Sequence, residues 1–112
     1  MDRLEQLFAR SMREVAAHGG ELAETETGSF LINEAAQLLA VLRLWAQSQH
    51  RSDKIVQELL EMADVVSLRN VASELRAIGD ADALVASATL VDVLKLPFEQ
   101  LMAIASYALR AL

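Results

Sequence analysis

Residues 29–50 most limit what this chain can become: a helical pattern of twenty-two positions with neither glycine nor proline. A helix of that length spans roughly 30 Å, and Ser29 is a plausible N-cap. Leu31, Ala35, Leu38, Leu42 and Trp45 form one heptad-like stripe. Ile32, Leu39 and Ala46 lie on one flank of it, Phe30 and Val41 on the other. The apolar arc covers roughly 200°, well beyond the single stripe by which a surface helix meets a core. Leu44 even falls on the nominally polar side. Such a helix requires cover on more than one side.

The remaining sequence supplies further helices. Leu and Ala together number 38 of 112 residues, against 13 for Val and Ile, so helix formers exceed strand formers about threefold and a mainly β fold is not expected. A first helix is predicted over 2–18, capped by Asp2, with Leu4, Leu7, Phe8, Ser11, Met12 and Val15 on one face; Gly19-Gly20 ends it. Residues 19–29 read as a loop carrying Glu21, Glu24 and Glu26 with no base. Ser52-Asp53 caps the next segment, where Ile55, Leu59, Met62 and Val66 share a face beside Val56, Leu60 and Ala63. Leu68, Val71, Ala72, Leu75 and Ile78 keep the spacing up to Gly79. Residues 53–78 fit either one long helix or two short ones bent near Val65-Val66. Asp80 or Asp82 caps a helix over 83–95, with Leu84, Ala88, Val91 and Leu94 in register. Pro97 suits the first turn of a last helix, whose apolar face is Phe98, Leu101, Met102, Ala105, Ala108, Leu109 and Leu112. The prediction is an all-α protein: one domain over 1–112, a compact bundle of five or six helices around the long apolar helix at 29–50.

Charge and composition exclude several function classes. Sixteen acids against ten bases leave a net charge of −6, the wrong sign for a protein that must neutralise phosphates, so direct nucleic-acid binding is not expected. With no cysteine, disulfides, thiolate nucleophiles and Cys-ligated metals are excluded. The start, Met1-Asp2-Arg3-Leu4-Glu5-Gln6, lacks the apolar run of a signal peptide. The least charged stretch, residues 100–109, is half the length of a spanning helix. A cytoplasmic protein with no membrane segment is expected.

No catalytic set emerges. His18 and His50 both fall at predicted helix C-termini, where imidazole suits the negative end of the dipole, and no HExxH spacing joins them. No GxSxG is present. Glu58, Glu61 and Asp64 recur at i, i+3 and i+6, the spacing of a solvated helix face, whereas carboxylate acid–base pairs face each other across a cleft. Gly19-Gly20 and Gly28 form neither GxGxxG nor a phosphate loop. Neither an enzyme nor a cofactor or metal is expected.

The apolar excess is what remains, and it points to contact with protein. The candidate partner-binding residues are Leu31, Leu38, Leu42 and Trp45 on the long helix and Phe98 and Met102 on the last. Large aliphatic and aromatic side chains in desolvated pockets supply most interface energy. A homodimer through either helix is expected as well. In size, helical content, acidity and lack of a catalytic set the chain resembles the small all-α antiactivators of bacterial quorum sensing. That resemblance implies a regulator that binds a transcription regulator and masks it. Eight Arg against two Lys, with the Ala and Leu richness, suits a GC-rich bacterial genome. Two other readings stay open: an immunity or antitoxin protein that uses its acidic loop, and a small helical carrier with an interhelical apolar pocket.

Overall fold

Each helix in the computed structural model, which describes residues 2–19 and 25–112, is opened or closed by a residue whose chemistry explains the boundary. Asp2 accepts the Glu5 N–H at 2.7 Å and starts α1, Arg3–Gly19. Within it Leu7, Ser11 and Val15, four residues apart, form the buried face, with Leu4, Phe8 and Met12 packed beside them. In its last turn, the His18 Nδ1 lies 2.8 Å from the Glu14 carbonyl oxygen. Gly20 and the acids Glu21 and Glu24 lie outside the described residues.

The long helix α2 spans Glu26–Ser48. It begins three residues before the predicted Ser29, because Thr25 is the cap: its Oγ1 accepts the Gly28 N–H at 2.9 Å. The tail of the predicted loop, Glu26 to Ser29, is therefore helical. At the other end, Gln49 closes the helix and His50 takes a left-handed conformation at φ 54°.

Residues 53–78 form two helices. Ser52 caps α3, Asp53–Met62; Asp64 caps α4, Val65–Ile78, and accepts from the N–H groups of Val66 and Ser67. The bend comes two residues earlier than Val65-Val66. Ala63 turns left-handed at φ 45°, and the carboxylate that follows can satisfy the orphan donors of a new first turn. Gly79, at φ 80°, ends α4, since the left-handed region costs glycine no Cβ clash. Asp80 opens α5, Ala81–Leu94, by accepting the Ala83 N–H at 2.8 Å. Pro97 stands just ahead of α6, Phe98–Arg110, and its carbonyl accepts from Leu101 N–H.

These six helices are the regular structure among the described residues, and no strand is found there. The Cα radius of gyration of 12.9 Å is that of a folded chain of this size, ~13 Å for 100 residues. Helix α2 meets all five others. Leu38 to Ala46 are nine consecutive buried residues, two and a half turns hidden in every direction around the axis. The buried sides of the others are Val56 and Leu60 on α3, Leu68, Val71 and Leu75 on α4, Leu90 on α5, and Leu101 and Ile104 on α6. Ser87 ties α5 to α4 by donating to the Ala72 carbonyl at 2.8 Å.

Candidate protein-binding surface on the fourth and fifth helices

The side chains of the long helix that sequence reasoning assigned to a partner are spent inside the chain. Leu38 and Leu42 are fully buried, and Trp45 is 7 % exposed with its Nε1–H donating to Glu74 Oε2 on α4 at 2.6 Å. They present almost no area to another molecule, so their assignment as anchors is corrected. Five neighbouring helices supply the cover that an all-round apolar helix demands, and between Leu38 and Ala46 that helix has no free face, whereas Phe30 near its start is 43 % exposed. Leu31 is half-buried against the core, and Met102 on α6 is half-buried. Phe98 alone of the six candidates stands clearly in solvent, 69 % exposed at the start of α6. The structure therefore does not gather them into one surface.

Buried among these apolar residues is a charge that sequence reasoning missed. Arg43, 2 % exposed, donates from Nη1 to Ser11 Oγ at 3.1 Å and from Nη2 to Glu14 Oε2 at 2.8 Å, with Asp53 Oδ2 at 3.5 Å. Arg10 reaches the other oxygen of Glu14 at 2.9 Å. Burial pushes the Glu14 carboxyl up, but the guanidiniums of Arg43 and Arg10 outweigh it and hold the group below its ordinary value. This cluster ties α1 to α2 and to the start of α3. Its cation is already neutralised, so it works as an internal strut. An available signal was Arg43 itself, a lone base within nine otherwise apolar residues.

Of the nine large apolar side chains left exposed among the described residues, α5 carries three, Leu84, Val85 and Val91, more than any other helix. Of the four residues read as in register, Leu84, Ala88 and Val91 point outward, with Leu84 47 % and Val91 41 % exposed, and Leu94 is half-buried against the core. Buried instead are Ala83, Ala86, Ser87, Leu90 and Val93. The helix is apolar around nearly its whole circumference, so its period named no unique inner side. Ala81, Leu84, Ala88 and Val91 follow the 3-4-3 spacing of a coiled-coil seam, with Val85 beside them. Between this seam and α4 runs a groove of about 350 Å³, floored by Ala72, Val91 and Leu94 and edged by Arg69, Arg76 and Lys95. A recess of about 270 Å³ continues it, lined by Arg76, Leu84, Ala88 and Val91 and bordered by Asp92.

No protein family, curated protein or solved structure matches the chain. The reading of this surface rests on its geometry. Among the described residues no helix is long and apolar enough to cross a membrane, and no three His, Cys, Asp or Glu side chains are grouped to hold a metal ion.

The opposite flank of α5 is acidic. Glu34 and Asp92 line a cleft of about 280 Å³ beside Phe30 and Leu96. Burial raises the Glu34 carboxyl above its ordinary value, and the charge of Asp92 adds to this. A raised carboxyl costs stability above its folded pKa and stops doing so once both states are protonated. Glu34→Gln is therefore expected to raise the melting temperature at pH 7, with the gain shrinking as pH falls through the glutamate range. Paired thermal melts at pH 7 and pH 3.5 check this; a gain that is equal at both, or a loss at pH 7, refutes it.

Proposed function

We propose that this chain is a non-enzymatic regulator that acts by binding another protein, in the manner of an antiactivator that masks a transcription regulator. The other five helices enclose α2, and the outer side of α5 with the groove against α4 is the working surface. The observation that supports this reading is the exposed seam Ala81, Leu84, Ala88 and Val91. Leu84, Val85 and Val91 keep 41–57 % of their area in water, although α5 stands in the middle of the fold's contacts with α2 and α4. A contiguous apolar strip edged by charge marks an interaction site more often than scattered apolar residues do. A helix face at coiled-coil spacing is the familiar helix-in-groove mode of recognition.

Affinity capture from the native host tests this. The wild-type chain and a Leu84→Asp/Val91→Asp variant serve as baits, and captured proteins are identified by mass spectrometry. Both positions are exposed, so the variant is expected to keep its helical circular dichroism and to lose no more than about 1 kcal/mol of stability. A partner held by the wild type and absent from the variant supports the reading. Equal capture by both baits places the binding surface elsewhere, and Phe98 on α6 is then the next position to change.

A further inference from the structure

We infer that the occupant of the α4–α5 groove is an acidic amphipathic helix of a partner protein, its apolar stripe on the α5 seam and its carboxylates against Arg69, Arg76 and Lys95. The inference rests on the protein-binding reading above and adds the chemistry of the partner.

The seam sets the shape. Ala81 and Ala88 alternate with Leu84 and Val91, so small residues leave holes between two larger knobs. A helix with large residues at its own 3-4 positions fills such holes; an extended strand, with its period of two, does not. The wall sets the charge. Arg69 and Arg76 stand seven residues apart on α4, both exposed, with no ion pair or side-chain hydrogen bond to the described residues. Lys95, at the end of α5, has only Asp92 at 3.7 Å, and both side chains are more than 70 % exposed. Three of ten bases thus edge one groove of a chain whose net charge is −6. A partner bearing acid at that edge gains attraction that a basic partner does not.

A second copy laid antiparallel on the seam fits less well. There α5 would face α5 with like flanks together. Ser87 bonds α4 on one flank only, so the two arginine-bearing walls would meet on the same side.

The test uses the full chain and a defined probe: a fluorescein-labelled synthetic helix of about three heptads, with Leu at the core positions and Glu flanking them. A matched peptide carries Lys in place of Glu. By fluorescence anisotropy, the Glu peptide is expected to saturate the chain with a Kd in the micromolar range, while the Lys peptide does not. Raising NaCl to about 1 M, where the Debye length falls to ~3 Å, should weaken the complex. Val91→Asp should raise Kd by about tenfold or more, and Arg69→Glu/Arg76→Glu should reverse the preference between the two peptides. Absence of saturation, equal affinity for both peptides, or a Kd unmoved by Val91→Asp overturns the inference. A concentration-dependent dimer in sedimentation that Val91→Asp abolishes overturns it too, since a second copy then owns the seam. If the baits of the capture experiment still differ while the peptides do not, the protein-binding reading stands and only the acidic helix falls.

Discussion

Trp45→Ala is expected to lower stability by about 3–5 kcal/mol, the range for removing a large aromatic from a packed core. The indole is 7 % exposed, and its Nε1–H is bonded to Glu74 Oε2 at 2.6 Å. The substitution thus empties the space between α2 and α4 and removes their polar tie together. For a chain of this size each kcal/mol moves the melting temperature by about 4 °C or more, so a fall beyond roughly 12 °C should be seen. Trp45→Phe separates the contributions. It keeps most of the volume, loses the hydrogen bond to the carboxylate, and should cost about 1–2 kcal/mol. Urea unfolding followed by circular dichroism measures both variants, since the change removes the only tryptophan. A Trp45→Ala chain that melts within a few degrees of the wild type would show that α4 does not cover α2 at this position.

The Arg43 strut should fail asymmetrically. Glu14→Ala removes the closest counter-ion of a cation that is 2 % exposed, leaving Asp53 at 3.5 Å and the Ser11 hydroxyl. Stranding a buried charge costs about 3–5 kcal/mol, and the lower end applies because Asp53 remains. Arg43→Met/Glu14→Gln removes the charge and the carboxylate together and fills the site with an apolar chain. It should return to within about 1–2 kcal/mol of the wild type, the residue of the cost being the lost bond to Ser11. Glu14 also sets an acid limit. Its folded pKa lies below its unfolded value, so its contribution is complete above the ordinary glutamate range, about 4.3, and is lost as pH falls through the folded pKa. Urea midpoints measured from pH 6 down to pH 2.5 should drop less steeply for the double variant than for the wild type. If Glu14→Ala and the double variant lose the same stability, no charge is stranded and the strut is only a surface contact.

Helix by helix, local chemistry was legible where one residue acts on backbone a turn away. Asp2, Ser52 and Asp80 each accept an N–H two or three residues on, and such caps require no knowledge of the fold. Gly79 ends α4 for an equally local reason. The start of α2 was misplaced because two residues able to cap, Thr25 and Ser29, stand a turn apart, and the segment between them is helical once the earlier one is used. The functional surface was less legible. The long apolar helix drew the partner residues onto Leu38, Leu42 and Trp45, because apolar excess looks the same in sequence whether it is covered from within the chain or from outside. On α5, Leu84, Ala88 and Val91 were legible as an apolar row in helical register, but not the side to which that row turns.

What the sequence determined by itself was the helical class and most helix ends, since both arise from interactions within a few residues: propensity, period and capping. Which side of each helix faces inward was decided by the tertiary structure. On α2 the question has no consequence, for nine consecutive residues are enclosed by the other helices. On α5 it decides the proposed function. Leu84 and Leu90 are chemically identical, six positions apart on a helix apolar on nearly every side. Leu90 is fully buried and Leu84 is left in water, because α5 packs against both α2 and α4, and only one of the two leucines lies on the side turned toward them.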